Sequence, residues 1–205
     1  QSGGIHMQEK TIITISRQFG SGGKEIAEIL AEKMGVRCYD RQILYLAAEK
    51  MGDTEVDIES ILESAYRTPD SSIGSMGTYG FEAVPYYNKM FREQAKAILK
   101  IAEKGSAVFL GRCADAVLRG HPDCFSFFIY ADEEFRRERA GTHYGSQSLK
   151  ELEKENKTRE RYYNYYTGQK WGDPQNYDLM INTSRFSPDA AAELILDYIE
   201  KRQEA

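Results

Sequence analysis

A glycine-rich segment that ends in a lysine contains the residue types with the clearest chemical meaning in this sequence. After an apolar, β-branched run come Gly20, Ser21, Gly22, Gly23 and Lys24, and an amphipathic segment follows. Glycines let backbone N–H groups approach phosphate oxygens, the N-terminus of a helix adds partial positive charge, and the lysine adds a full charge. The segment therefore predicts a phosphate-binding loop, although a glycine turn alone also suits any tight connection between a strand and a helix.

The loop departs from the usual phosphate-loop signature, G-x-x-x-x-G-K-[ST]. Counting back from the lysine, the position of the first glycine holds Gln18, and the residue after the lysine is Glu25. A lysine at the positive end of a helix dipole is locally unfavourable, and an anion bound there removes that penalty. Phosphate binding is therefore predicted from where the loop lies in the chain more than from a match to the signature.

A second glycine and cation, Gly111 and Arg112, follow a later apolar run. A planar guanidinium donates two parallel hydrogen bonds to a phosphate, which makes Arg112 a candidate phosphate ligand. The alternative is an arginine that lies in solvent at the end of a strand.

Residues 157–171 combine basic and tyrosine side chains in a predicted helix. On such a helix Lys157 and Arg161 share a face, whereas Arg159 points elsewhere. One interpretation is a solvated helix whose tyrosines pack on the core. The other is a lid whose arginines stabilise charge on a transferring phosphoryl group.

An arginine-rich helix is predicted just before that segment, over residues 132–142, and it carries Arg136, Arg137 and Arg139. Arginines on charged helices are usually solvated. Arg136 and Arg139 are three residues apart, however, so they share a face and are candidates to contact a nucleotide.

Strand and helix patterns alternate along the chain, which predicts a parallel α/β sheet. The predicted strands cover residues 11–16, 36–39, 106–110, 124–130 and 179–181. The predicted helices cover 22–34, about 41–51, 54–65, about 83–103, 132–142 and 147–166, with a last helix that starts at Ser187-Pro188. Residues 67–80 are rich in glycine, serine and threonine and predict a mobile loop. A cap glycine, Gly35, is expected to end the first helix.

The chemically suggestive residues follow the predicted strands. Asp40 and Arg41 come after the second strand, Arg112 and Asp115 after the third, and Asp132 after the fourth. Ligands of parallel α/β sheets bind at the carboxyl ends of the strands. The sequence therefore predicts one site that these residues share with the glycine loop.

Composition narrows the class of protein. The chain has 205 residues, 41% of them hydrophobic and 29% charged, with a net charge of −5, which suits one soluble domain over 11–205 and argues against a nucleic-acid-binding surface. Its three cysteines form no C-x-x-C motif and no ligand pattern with the three histidines, so reduced thiols in a cytoplasmic protein are expected. No membrane segment or secretory signal is expected. Residues 1–6 precede a methionine and resemble the remnant of an expression tag.

Five motifs in this order resemble the cytidylate kinase-like family of P-loop proteins. They are Thr14–Lys24, Tyr39–Arg41, Gly111–Asp115, Phe128–Ala131 and Trp171–Leu179. The resemblance runs over nearly the whole chain after residue 10. It implies a three-layer α/β sandwich of the P-loop NTPase type with a five-stranded parallel sheet. It also implies a helical insertion that binds the acceptor, over about 54–103, and a lid over about 143–171.

The resemblance also implies roles for single residues. The donor ATP would be bound by the loop from Gly20 to Lys24 and by Glu25, with Arg136 near its base. The acceptor would be bound by Asp40, Arg41, Arg112 and Asp115. Lys24, Arg159 and Arg161 would be the catalytic cations.

The activity that the resemblance implies is ATP-dependent phosphoryl transfer to a nucleoside monophosphate, with CMP or dCMP first and Mg²⁺ as cofactor. Typical cytidylate kinases have a hydroxyl residue after the lysine that is available to Mg²⁺. Here Ser16, Ser21 or a water would take that place. Two alternatives stay open: a nucleotide-binding regulatory protein without kinase activity, and a kinase for another small molecule.

Overall fold

The computed structural model describes residues 10–52, 66, 84–143 and 148–204. The helix predicted over 54–65 and the loop predicted over 67–80 lie outside the described residues, as do the proposed tag remnant and parts of the predicted insertion and lid.

Five parallel strands form one sheet, which confirms the predicted fold class. The strands are β1 (Ile12–Arg17), β2 (Cys38–Tyr39), β3 (Ala107–Leu110), β4 (Cys124–Tyr130) and β5 (Leu179–Asn182). Their order across the sheet is β2-β3-β1-β4-β5, and every pair is parallel. The phosphate-binding loop predicted after β1 therefore lies at the centre of the sheet, between the ends of β3 and β4.

Helices connect and cover these strands. In the described ranges they are α1 (Gly23–Met34), α2 (Gln42–Met51), α3 (Val84–Lys104), the short α4 (Ala114–Val117), α5 (Glu133–His143), α6 (Leu149–Thr167) and α7 (Pro188–Gln203), with a 3₁₀ turn at Pro174–Asn176. The short α4 and the 3₁₀ turn were not predicted; the other elements have predicted counterparts. The predicted boundaries agree with these within about two residues where the chain is described. Gly35 ends α1 in the left-handed conformation, and the Ser187 hydroxyl accepts a hydrogen bond from the Ala190 N–H at the start of α7, as predicted.

Alternation along β1 divides the core into two layers. Ile13 and Ile15 pack with apolar side chains of α1 and α7 on one face of the sheet. Ile12 points to the other face and packs with Ile98 of α3 and Ile43 of α2. A strand that is buried on both faces is expected at the centre of a three-layer α/β sandwich.

The junction between β1 and α1 leaves no room for a side chain at Gly23. A Cβ atom at Gly23 would lie 2.5 Å from Cβ and 2.9 Å from Cγ of Arg17, which is closer than carbon atoms approach in proteins. The glycine at the first position of α1 therefore lets the last residue of β1 pass beside the loop.

Two glycine-to-alanine variants test this contact. Alanine normally stabilises a helix by up to about 1 kcal/mol relative to glycine. Gly141 lies exposed in α5, and a Cβ added there would have no neighbour within 4 Å, so Gly141→Ala should raise the free energy of unfolding by about that amount. Gly23→Ala should lower the free energy of unfolding by about 1–3 kcal/mol, because the new methyl overpacks against Arg17. Equal stabilisation by both substitutions in urea unfolding would contradict the contact.

Candidate active site

A cleft of about 880 Å³ opens where β1, β2 and β3 end. Its walls come from the glycine loop, from the residues after β2, from Arg112 and from α6. Six cationic side chains line it: Arg17, Lys24, Arg41, Arg112, Lys154 and Arg159. Three carboxylates line it as well: Glu28, Asp40 and Glu155. The described walls are thus positive in a chain whose net charge is −5, and a cleft of this kind concentrates anions.

The glycine loop borders the cleft through its backbone. Gly20 and Gly22 have φ angles of +83° and +81°, a backbone conformation that residues other than glycine rarely adopt. The Lys24 side chain is 65% exposed, and its Nζ lies 3.7 Å from a Glu28 carboxylate oxygen. An exposed pair of this kind contributes little stability, so the ammonium group can turn towards a ligand at small cost.

Arg112 enters the cleft through an unusual turn. Gly111, Arg112 and Cys113 all have positive φ angles, of 72°, 60° and 56°. This conformation costs about 1–3 kcal/mol for each residue other than glycine and is found mainly at functional sites. The turn buries Arg112, with Nε 3.7 Å from Oδ1 of Asp40 and the guanidinium carbon 4.6 Å from the centre of the Tyr66 ring.

Arg159 reaches the same region from α6. Its Nη1 donates a hydrogen bond of 3.1 Å to the carbonyl of Arg17, and its guanidinium lies 5.0 Å from the centre of the Phe19 ring. Burial lowers the pKa of Arg159, and the nearby Arg17 lowers it further, to about 10. The lowered pKa identifies a guanidinium that is withdrawn from water and held beside another cation.

A second contact docks α6 on the loop. The side-chain oxygen of Asn156, which is buried, accepts a hydrogen bond of 2.6 Å from the backbone N–H of Phe19. The loop is thus held in position by the helix that carries Arg159.

Most of the predicted site residues meet in this cleft, and six do not line it. Those that line it are Gly20, Gly22, Gly23, Lys24, Asp40, Arg41, Arg112 and Arg159. Those that do not are Ser16, Ser21, Glu25, Asp115, Arg136 and Arg161.

The donor-side residues outside the cleft have partners in the protein. Glu25 forms an ion pair of 2.5 Å with Arg139. Arg136 is buried, and it donates one hydrogen bond to a carboxylate oxygen of Glu153 at 2.6 Å and another to the Ala131 carbonyl at 3.1 Å. These contacts join α1, α5 and α6 around the loop. Glu25 and Arg136 therefore support the loop from outside the cleft.

Asp115 and Arg161 also lie away from the cleft. Asp115 is buried and accepts a hydrogen bond of 2.6 Å from the Tyr163 hydroxyl. Burial raises the pKa of Asp115, which the hydrogen bond from Tyr163 partly offsets. Arg161 is exposed on α6, two residues beyond Arg159 and on another face of the helix.

The candidate magnesium ligands do not form a ligand set. The Ser21 hydroxyl donates a hydrogen bond of 2.8 Å to the Gln18 carbonyl within the loop. The buried Ser16 hydroxyl lies 3.4 Å from a carboxylate oxygen of Asp115. Neither hydroxyl lines the cleft, and no metal-binding group of three His, Cys, Asp or Glu side chains occurs among the described residues.

Several residues of the cleft were not predicted from the sequence, and two of them, Arg17 and Tyr66, interact with the predicted arginines. Arg17 is the last residue of β1, so the rule that ligands bind at strand ends was sufficient to find it. Tyr66 approaches the guanidiniums of Arg112 and Arg159 at 4.6 and 5.9 Å from its ring centre. No periodicity in its neighbourhood indicates this contact.

The cysteines and the helices of the described part of the chain bear on two further expectations. Cys38, Cys113 and Cys124 are free thiols. None of the described helices is long and apolar enough to cross a membrane.

Known proteins resemble this chain in sequence and in fold. The sequence model of the cytidylate kinase-like family matches residues 12–185. A cytidylate kinase from Pyrococcus horikoshii is 25% identical over 193 residues, which cover 92% of this chain and 88% of the relative. A crystal structure of an uncharacterized protein from Eubacterium ventriosum superposes with a TM-score of 0.70 at 28% identity, over 93% of this chain and 99% of that one. Shikimate kinase from Acinetobacter baumannii, in complex with shikimate, has the same fold, with a TM-score of 0.52 at 14% identity over 94% of each chain.

The phenol of Tyr66 supplies a spectroscopic test of the site. Burial raises its pKa, but Arg112, Arg17 and Arg159 lower it and outweigh both burial and the nearby Asp40, so the pKa is about 8. The ordinary value is about 10. We expect tyrosinate absorbance to show a step near pH 8 that Tyr66→Phe removes and that Tyr165→Phe, a change at an exposed ring, leaves in place.

Inorganic pyrophosphate should move that step to higher pH, because a bound anion neutralises the guanidiniums that stabilise the phenolate. A difference titration between wild type and Tyr66→Phe with its midpoint near 10 would show that the arginines do not converge on this ring.

Proposed function

The chain belongs to the cytidylate kinase-like family, and on that premise we propose that this P-loop phosphotransferase moves the terminal phosphoryl group of ATP to a nucleoside monophosphate, with CMP or dCMP as the first candidates. One observation carries the proposal. Cations from three separate elements, Lys24 of the loop, Arg112 after β3 and Arg159 of α6, line one cleft at the carboxyl edge of the sheet. A site for one phosphate needs fewer cations than a site where two phosphorylated substrates meet.

The two sides of the cleft differ in a way that supports a donor and an acceptor subsite. The glycine loop and Lys24 form one side, and backbone N–H groups with a lysine suit the β- and γ-phosphates of ATP. Asp40, Arg41 and Arg112 form the other side, where an acceptor monophosphate would be bound. Arg159 is bonded to the Arg17 carbonyl and lies beside Phe19 of the loop, and from there it would act on the transferred group.

The chemistry that these residues support is an in-line transfer without a covalent intermediate. The attacking oxygen of an acceptor phosphate is already anionic, so a general base is not needed. Catalysis then consists of holding the two phosphates in line and neutralising the charge that spreads over the transferring group. P-loop kinases generally use ATP with Mg²⁺, and neither candidate hydroxyl, that of Ser16 or of Ser21, lines the cleft where the ion would be held.

One observation favours an alternative, a nucleotide-binding protein that does not transfer phosphate. Glu25 occupies the position of the usual hydroxyl residue and is held by Arg139. The loop can therefore bind phosphates through its backbone and still lack a protein ligand for the metal. Turnover measurements separate the two functions.

A coupled assay of ADP release should detect turnover with ATP and CMP or dCMP and much less with UMP, AMP and unrelated alcohols. Lys24→Ala should lower kcat by about 100-fold or more, because one charge-stabilising group is removed from the transition state. Its unfolding curve should be unchanged, since the side chain is largely exposed. Binding of ATP without turnover of any acceptor would instead support the non-catalytic function.

Arg159→Ala tests the role of α6. We expect it to lower kcat by about 100-fold or more and to weaken ATP binding much less, since the guanidinium acts mainly on charge that develops during transfer. Arg137→Ala is the matched control, because Arg137 is an exposed arginine of α5 that forms an ion pair with Glu133 outside the cleft. An unchanged kcat for Arg159→Ala would remove this residue from the mechanism. The predicted catalytic role of Arg161 is tested by a separate variant, because this exposed side chain does not line the cleft and would have to move to reach the transferred group.

A further inference from the structure

We propose that Arg17, the last residue of β1, binds the γ-phosphate of ATP, so that it distinguishes the triphosphate donor from ADP. The inference deepens the proposed function and rests on it for the identity of the donor. Arg17 lines the cleft, and the glycine-loop signature assigns no role to a cation at this position.

Two glycines make room for the path of the Arg17 side chain. Its stem passes Gly23, where an added Cβ would lie 2.5 Å from the Cβ of Arg17. Its tip lies over Gly111, where an added Cβ would clash with Nη1. The side chain therefore runs from the donor loop, next to Lys24, to the turn that presents Arg112.

The charges around Arg17 indicate that its partner is an anionic ligand. Its carbonyl oxygen is bonded to Arg159, and the positive charge of Arg17 helps to lower the pKa of that arginine. In the ranges 10–52, 84–143 and 148–204, and at Tyr66, no carboxylate forms an ion pair with Arg17. Guanidiniums held close to one another are stabilised by an oxyanion that each of them can contact.

The position of Arg17 selects the terminal phosphate among those of ATP. Gly23 belongs to the loop proposed to bind the donor, directly before Lys24, and Gly111 directly precedes Arg112 of the proposed acceptor side; Lys24 and Arg112 both line the cleft. A guanidinium that spans these two glycines lies where donor and acceptor phosphates meet. The γ-phosphate occupies that place in ATP, and no group of ADP extends to it.

The test measures affinity for β,γ-imido-ATP, which cannot transfer its terminal phosphate easily, and for ADP, by calorimetry at equal ionic strength. Arg17→Ala should weaken the triphosphate by about 10- to 100-fold, as expected for the loss of a charge-assisted contact, and should change the affinity for ADP by less than about twofold. Arg37→Ala is the control: Arg37 is an exposed arginine just before β2 that does not line the cleft, and both affinities should stay unchanged.

Equal losses for the triphosphate and for ADP, or no loss for either, would overturn the assignment. If Arg17→Ala does not fold, Arg17→Lys decides the question, since it keeps the charge but loses the planar pair of donors. We expect that variant to weaken the triphosphate selectively and to melt like the wild type. The outcome is independent of the acceptor: a selective loss in a protein that turns over no monophosphate would leave the role of Arg17 standing and refute only the proposed acceptor.

Discussion

The structure depends on bringing several positive side chains together at one edge of the sheet. Guanidinium groups repel one another, and the repulsion grows as they are withdrawn from water. The fold nevertheless fixes them side by side, because the Gly111 N–H donates a hydrogen bond of 2.9 Å to the Ile15 carbonyl and joins the end of β3 to the end of β1. Arg17 and Arg112 leave these two strands, and Arg159 is bonded to the carbonyl of Arg17. An anion would relieve this repulsion, so the constraint that crowds the cations also favours the binding of an anion in the cleft.

The helix α6 links this cation cluster to the rest of the protein. Asn156 holds the loop through the Phe19 N–H, and Arg159 holds the end of β1. Further along α6, the Tyr166 ring stacks on Phe91 of α3 with a centroid distance of 4.3 Å. A change in the position of α6 must therefore alter the donor loop and the packing on α3 together. If the proposed function holds, this coupling is a physical route by which acceptor binding and donor binding would affect each other.

The sequence was sufficient to predict the sheet and the place of the site. β4 was predicted at its observed bounds, and the helix-ending role of Gly35 was correct, because apolar runs and glycine caps are local signals. The strand-end rule located the cleft. Contacts between distant segments were not predictable: Glu25, for example, is held by Arg139 from another helix. The left-handed turn at Arg112 and Cys113 was not predictable either, because neither residue type marks such a turn.

Arg159 and Arg161, which were both predicted as catalytic cations, show the same limit of prediction from sequence. The two are separated by about 200° around the helix, so they cannot both bond to the end of β1, but the sequence does not say which of them does. The buried Asn156, three residues before Arg159, settles the orientation in the structure, and no hydrophobic pattern marks that residue as buried. Arg17 differs, because it belongs both to the loop motif and to the end of β1, and only its position at the strand end predicts a ligand contact.

The central claim is that the converging cations form an anion site, and it is tested most directly by equilibrium unfolding in increasing tripolyphosphate at constant ionic strength. A ligand that binds only the folded state raises the free energy of unfolding by about 1.4 kcal/mol for each tenfold increase in concentration above its Kd. We expect that rise for the wild type, and for Arg112→Ala a rise that begins at distinctly higher concentration. No rise in the wild type, or identical curves for the two proteins, would contradict it.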